Sequence, residues 1–220
     1  MNLSLTEENY LKAIYHLSEN GDKEVSTNSI AEELSTKAAS VSDMIRKLSR
    51  KKVINYEKYR GVQISPSGEK IALQVIRKHR LWEVFLVEKL DFNWDEVHEV
   101  AEQLEHIKSP TLISRLDKFL GYPTMDPHGD PIPNEHGEIK INPQLPLVEF
   151  NAEDQGIVVK VPDADPSLLR HLDKIGMRLG SKVKVIERVE FDNSVLIKID
   201  NSNEVYLSGE MAKNIMLAVK

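Results

Sequence analysis

The chain has 220 residues, 40% of them hydrophobic and 29% charged, an ordinary globular mix long enough for two or three small domains. Cysteine is absent, which excludes disulfides and thiolate metal sites and leaves His, Asp, Glu, Asn, carbonyls and water as possible metal donors. The net charge of -6 excludes a uniformly basic nucleic-acid coat, and no apolar run reaches the roughly 18 residues of a membrane span, so a cytoplasmic protein is expected.

Ser4-Leu5-Thr6-Glu7 is a capping box, and Leu11, Ile14, Tyr15 and Leu17 follow it at helical spacing until Asn20-Gly21 stops the helix. Ser26 to Ser29 offers a second cap, with Ile30, Ala31 and Leu34 as a short helix. Ser35-Thr36-Lys37 is a tight turn into a third helix, whose Val41, Ile45 and Leu48 face inward. Two β-rich runs, Val53 to Glu57 and Val62 to Ile64, flank a glycine-containing turn and read as a hairpin. Helix, short helix, turn, helix, hairpin is the order of a winged helix-turn-helix.

Eight cations (Lys37, Arg46, Lys47, Arg50, Lys51, Lys52, Lys58, Arg60) and two carboxylates (Asp43, Glu57) lie between Thr36 and Gly61. A charge run by itself is often a solvated helix face. Here it coincides with the third helix and the wing, on an otherwise acidic chain, which points to DNA.

Ser65-Pro66-Ser67 caps a long helix expected to run to about Leu90. A second is expected from about Trp94 to Ile107, and a third from Ser109-Pro110 to Leu120-Gly121. His98, Glu102, Glu105 and His106 share one face of the second helix, and His79 and Glu83 lie one turn apart on the first. One His–Glu pair at that spacing is usually a surface ion pair. Six such residues on adjacent helices make a divalent-metal site an equal contender, one suited to Mn(II), Fe(II), Co(II) or Zn(II).

Residues 121–146 hold six prolines, a linker composition. From Val148 the chain is β-rich, with runs at Gly156 to Val161, Lys182 to Glu187, Val195 to Ile199 and Glu204 to Leu207. Leu168 to Ile175 looks helical, and Ser208 to Ile215 is a turn or last helix. A small barrel is expected. The fold class is therefore mainly α with a C-terminal β domain.

Several stretches carry a resemblance. They are Asn9-Tyr10-Leu11-Lys12-Ala13-Ile14-Tyr15, Arg77-Lys78-His79-Arg80-Leu81, Val97-His98-Glu99 with Ala101-Glu102 and Glu105-His106, and Asp126-Pro127-His128-Gly129-Asp130-Pro131-Ile132-Pro133. Together they resemble the diphtheria-toxin-repressor family of iron- and manganese-dependent regulators. Leu179-Gly180-Ser181 and Leu207-Ser208 resemble the ferrous-iron-transport A-type barrel that many members carry. The resemblance implies a winged helix-turn-helix at 1–65, a helical metal-binding and dimerisation domain at 66–140, a linker at 141–150 and an SH3-like barrel at 151–220. It implies a homodimer that grips palindromic operators of metal-uptake genes once a divalent metal is bound, with no membrane, small-molecule substrate or enzymatic activity. One metal site would use His79, Glu83 and His98, and the other Glu102, Glu105 and His106 with Asn9. Asp165 falls near a position where barrels of the family donate a ligand, Leu168 falls at the other such position, and His171 is a substitute. Iron-type members have Cys where Glu102 stands and Met where Asn9 stands. Manganese-type members have Glu and Asp there, so Glu102 favours Mn(II) while Asn9 is neutral. Fe(II) is the alternative, other divalent transition metals are expected to bind in vitro, and Lys12 replaces a carboxylate found in some manganese regulators.

The third helix would enter the major groove, with Lys37, Ala39, Ser40, Ser42 and Asp43 at its leading end near base edges. Arg46, Lys47 and Arg50, with Lys58 and Arg60 on the wing, would take phosphates. A metallohydrolase and a metal-independent winged-helix adaptor are the rival readings; no HExxH helix or nucleophile motif supports the first.

Overall fold

The computed structural model describes residues 3–57, 60–140, 142–163 and 165–219. The chain forms two compact units: Met1–His79 with Leu104–Ser109 and Pro133–Glu138, and Arg80–Gln103 with Pro110–Ile132 and Ile139–Lys220.

The first unit opens with α1 (Leu5–Leu17), α2 (Thr27–Glu33) and α3 (Ala38–Arg50), followed by the antiparallel strands β1 (Ile54–Glu57) and β2 (Gly61–Ile64). The capping box at α1 forms: Ser4 Oγ accepts from the Glu7 amide at 3.3 Å, and Glu7 Oε2 accepts from the Ser4 amide at 2.7 Å. Leu11, Ile14, Val41, Ile45 and Leu48 are buried, so the 3.6-residue period does face a shared core. The hairpin pairs Ile54 with Ile64 and Glu57 with Gly61, and Val25 bridges Val62 as an extra rung. The long helix α4 (Pro66–Leu90) starts against this hairpin. A Cβ on Gly68 would lie 1.9 Å from the Val53 carbonyl oxygen, so the helix can seat there only through glycine. Arg77 donates to the Pro133 carbonyl at 2.6 Å, and Lys108 to the Leu3 carbonyl at 2.8 Å, which ties the two outlying segments into the same unit.

The second unit takes the rest of α4, then α5 (Val97–Leu104) as far as Gln103, and α6 (Pro110–Phe119). α5 is shorter than the expected span of 94–107. At its start Asn93 and Glu96 close a turn, the Glu96 amide on the Asn93 carbonyl and the Asn93 amide on Glu96 Oε2. At its end Glu105 and His106 lie in a turn.

The β-domain is an antiparallel six-stranded sheet in the order β3 (Leu145–Pro146), β8 (Met216–Val219), β4 (Gln155–Lys160), β5 (Lys182–Arg188), β6 (Val195–Ile199), β7 (Asn203–Leu207). The helices α7 (Pro166–Lys174) and α8 (Gly209–Asn214) complete it. Leu147, Val158, Leu169, Met177, Val185 and Ile197 are among its fully buried residues. The interval 141–150, whose prolines suggested a linker, instead supplies β3 and a 3-10 turn, and buries Leu147 and Phe150 in this core.

Residues 122–132 also differ from a free linker. Met125 bridges Pro131, and Asp126 Oδ1 accepts from the amides of His128 and Asp130 at 2.8 and 2.9 Å. The Val161 amide donates to the His128 carbonyl at 2.9 Å, and Lys160 Nζ to Asp130 Oδ1 at 2.9 Å. Gly129, at φ +88°, would place a Cβ 1.9 Å from the Val159 carbonyl oxygen. Proline stiffens this loop and glycine lets it lie on β4, so it is a built part of the second unit.

Candidate metal centre and nucleic-acid surface

In the second unit, Glu83 on α4 is fully buried and faces two histidines. Its Oε1 is 3.7 Å from His98 Nδ1 on α5, and its Oε2 is 3.8 Å from His128 Nδ1 in the 122–132 loop. Asp163, just before α7, adds Oδ2 at 3.4 Å from His98 Nδ1. Asp126 adds Oδ1 at 3.9 Å from His128 Nδ1. Glu83, His98 and Asp163 each offer a ligand atom within 4.8 Å of the others, and so do Glu83, Asp126 and His128. Glu83 thus turns one oxygen toward each imidazole.

Three carboxylates and two imidazoles in a buried space hold one another's protons in unusual places. Asp163 and Glu83 lift His98 to about 10, overcoming burial. Burial would lower His128, but Glu83 and Asp126 lift it to about 9. Asp126 is raised to about 7, first by burial and then by Glu83 and Asp130, with Arg80 opposing. Asp163 falls to about 2: burial raises it, and His98 more than offsets that. His128 Nδ1 is buried and accepts or donates no hydrogen bond, while its Nε2 is held by the Trp94 carbonyl at 2.8 Å. A buried nitrogen aimed at two carboxylates, its partner nitrogen anchored, is what a divalent cation requires of a histidine ligand.

In the first unit, Glu105 is buried and already engaged. Lys12 Nζ sits 2.8 Å from both of its oxygens, and His79 Nδ1 is 2.7 Å from Oε2. Burial would raise the Glu105 carboxyl, but His79 and Lys12 bring it below its usual range. His106 Nδ1 meets Glu8 Oε2 at 2.7 Å and its Nε2 lies 3.6 Å from Glu105 Oε1. Asn9 Oδ1 is buried without a hydrogen bond, a neutral oxygen that fits a cation.

The residues singled out from the sequence therefore divide. Glu83 and His98 come together, and His79 stands one turn before Glu83 on α4. Glu105 and His106 come together, but among the described residues Glu102, Glu105 and His106 do not make a three-ligand group of imidazoles and carboxylates. Glu102 is half exposed and points along α5 to His98 Nε2, 3.6 Å away. Asp165 caps α7, accepting from the Ser167 amide at 2.8 Å, and His171 is exposed on that helix; neither joins the cluster. Sequence reasoning missed Asp126, His128 and Asp163 as donors. Asp126 and His128 lie in a stretch that carries the family resemblance, whereas nothing local marks Asp163. The Asp-Pro pair at 165–166 is the signature of an N-cap, which separates Asp165 from a ligand role.

On α3, Lys37, Ala39, Ser40, Asp43, Arg46, Lys47 and Arg50 are exposed, as is Arg60 beside the wing. Lys58 lies outside the described residues. Ser42 Oγ donates to the Ala38 carbonyl at 3.0 Å, and Arg46 and Arg60 make exposed pairs with Asp43 and Glu57. Lys47 and Lys51 reach Glu7 on α1 at 3.3 and 2.7 Å. Burial would raise Glu7, yet these lysines and the Ser4 amide bring it to about 2.

A winged helix-turn-helix with an exposed basic helix, in a chain that also carries buried His–carboxylate clusters, defines a metal-dependent transcriptional regulator. Known proteins agree. Residues 2–62 match the iron-dependent repressor N-terminal DNA-binding domain, 65–134 its metal-binding and dimerisation domain, and 145–219 the FeoA domain. The chain is 37% identical over 205 residues to the iron-dependent repressor IdeR of Mycobacterium bovis, covering 91% of this chain and 80% of that one. It is 28% identical to the diphtheria toxin repressor of Corynebacterium diphtheriae over 96% of each. Among solved structures, a manganese-dependent transcriptional repressor in complex with manganese superposes with TM-score 0.89 at 38% identity, covering 97% of this chain and all of that one. ScaR with bound Cd2+ gives 0.79 at 31%, covering 97% and 99%. The chain belongs to the iron-dependent repressor family, and is a metal-dependent transcriptional repressor. These relatives are regulators and not enzymes, so the hydrolase reading falls. Among the described residues no helix is long and apolar enough to cross a membrane.

Proposed function

We propose that the protein is a Mn(II)-responsive repressor of metal-uptake genes that binds palindromic operator DNA as a homodimer. The observation that carries this reading is the Glu83 cluster: carboxylates and imidazoles with no thiolate, a donor set that suits a hard-to-borderline cation. The relation to manganese-dependent repressors supports the choice of metal, and kinship to the iron-dependent IdeR keeps Fe(II) as the second reading.

Glu83, His98 and Asp163 would hold one cation, and Glu83, Asp126 and His128 another position. Asn9, Glu105 and His106 would hold a further ion. A bound divalent ion supplies positive charge that neutralises and cross-links these carboxylates. The residues themselves set what that does. Glu8, Asn9 and Lys12 sit on α1, which packs in the DNA-binding domain, while Glu105 and His106 follow α5. Fixing α1 on that segment orders the end of the winged helix and biases the population toward one arrangement. In a dimer that arrangement sets the spacing of two α3 helices, which must match one DNA turn of about 34–36 Å. The exposed Leu90, Leu112, Phe119 and Tyr122, with Phe119 beside Phe85 at 6.3 Å, supply an apolar face for the second copy. Lys37, Ala39, Ser40, Ser42 and Asp43 would read bases, and Arg46, Lys47, Arg50, Lys58 and Arg60 would bind phosphates.

Selection from a random duplex pool under anaerobic conditions tests this directly, with Mn(II), Fe(II) or chelator present. A palindrome enriched with Mn(II) above Fe(II) at matched free concentration is expected. Stronger enrichment with Fe(II) would transfer the effector role to iron, and equal enrichment with chelator would remove the metal switch.

A further inference from the structure

Trp94 opens the turn between α4, which carries Glu83, and α5, which carries His98. It meets His128 twice. Its backbone carbonyl accepts from His128 Nε2 at 2.8 Å, and its indole lies parallel to the imidazole, with centroids 6.2 Å apart and planes 7° from coplanar. The carbonyl sets the proton of a neutral His128 on Nε2 and leaves the Nδ1 lone pair toward Glu83 Oε2 and Asp126 Oδ1. The parallel ring limits rotation of the imidazole about its Cβ–Cγ bond. On its other side the indole packs against the β-domain core, and its N–H donates to Asp173 Oδ2 on α7 at 2.9 Å. Asp95, the next residue, takes Arg170 of the same helix at 3.3 Å. α7 follows directly on the segment that holds Asp163. One residue therefore touches the His128 loop and α7, and leads into α5.

We infer that Trp94 is the positioning residue of the Glu83–Asp126–His128 cation position, and that through Asp173 it makes binding there depend on how α7 is seated. This rests on reading the cluster as a cation site, and deepens it. Removing a partner that orients a histidine ligand without touching the ion typically costs about ten- to a hundred-fold in metal affinity.

The test titrates the full-length protein with Mn(II) and follows the free-ion electron paramagnetic resonance signal, for wild type, His128→Gln, Trp94→Ala, Trp94→Phe and the double variant His128→Gln/Trp94→Ala. His128→Gln is expected to weaken one class of bound ion. Trp94→Ala should weaken the same class by roughly ten- to a hundred-fold and leave the rest unchanged. In the double variant Trp94→Ala should add nothing, because it acts through that imidazole. Both Trp94 variants keep the backbone carbonyl; Trp94→Phe also keeps a flat ring and loses the indole N–H with part of the ring's area. It preserves the fold if the alanine variant does not, and should cost about three- to ten-fold, matched by Asp173→Ala. Amide exchange in residues 166–174 should slow with Mn(II) in the wild type and not in Asp173→Ala. Additive losses in the double variant, or full Mn(II) affinity in both Trp94 variants while His128→Gln is impaired, would overturn the role of Trp94 alone. Mn(II) binding indifferent to His128→Gln would overturn the cation reading of the cluster and this role with it.

Discussion

The two buried polar clusters solve the same electrostatic problem in opposite ways. In the first unit the buried Glu105 is met by a built-in cation, the Lys12 ammonium at 2.8 Å from both oxygens, and by His79. In the second unit Glu83, Asp126 and Asp163 converge on two imidazoles, and Arg80 reaches only the far oxygen of Asp126, at 3.4 Å. There the balance is kept by protons on His98 and His128. A lysine is a permanent, tethered charge, whereas a proton on imidazole is exchangeable for a metal at accessible pH. The Glu83 cluster is therefore the more responsive of the two, and the Glu105 cluster accepts an ion only if Lys12 gives way.

The largest expected effect is that of pH on the Glu83 cluster. With His98 lifted to about 10 and His128 to about 9, a cation at either position must displace the proton of its own imidazole at neutral pH. Apparent Mn(II) affinity at each position should rise with pH between 6 and 8 by up to roughly one decade per unit, for the one imidazole proton released. In chelator the sign reverses for stability. The contribution of these raised groups is complete below the ordinary imidazole value of 6.5 and is lost as pH rises through about 9 and then 10. Mn(II) titrations and thermal melts across that range check both halves, and flat binding would make the two clusters alike.

Next in size is Glu83→Gln, which removes the carboxylate that faces both histidines. It should weaken Mn(II) at this cluster by about a hundred-fold while ions held through Asn9, Glu105 and His106 keep their affinity; the order of magnitude follows the larger losses seen for groups near a metal. Equilibrium dialysis with metal counting separates the two classes. Equal losses in both would deny the contrast.

Lys12→Gln should have the smaller and opposite effect. Glu105 is fully buried, so loss of the ammonium should cost about 2–3 kcal/mol in urea denaturation with chelator, less than a fully stripped pair because His79 still holds Oε2. Mn(II) should then bind the first cluster more tightly than in the wild type. Unchanged stability together with unchanged Mn(II) affinity would show that Lys12 does not stand in for a cation.

Much of the local architecture could be read from the sequence, because its causes are local. The capping box at Ser4–Glu7, the inward Val41, Ile45 and Leu48, and the Pro110 and Gly121 ends of α6 are written in adjacent residues. The i, i+4 pair His79 and Glu83 belongs to the same class, since helical geometry puts them on one face wherever the helix lies.

What sequence alone determined was thus the winged helix, the helical segments and the β-rich end, together with half of the donor set. Only the tertiary structure decided which donors meet. Asp126 and His128 come from a proline-rich loop with no periodicity, seated by Gly129 against β4 and by the Val161 amide. Asp163 reaches His98 across 64 intervening positions, while Asp165, two residues on, is taken up in capping α7. Lys12 and Glu105, far apart in the chain, pair only because α1 and the turn after α5 share one buried space. Short-range hydrogen bonds and helical period are encoded within a few residues, whereas charge balance in a buried space depends on every group that packing brings there.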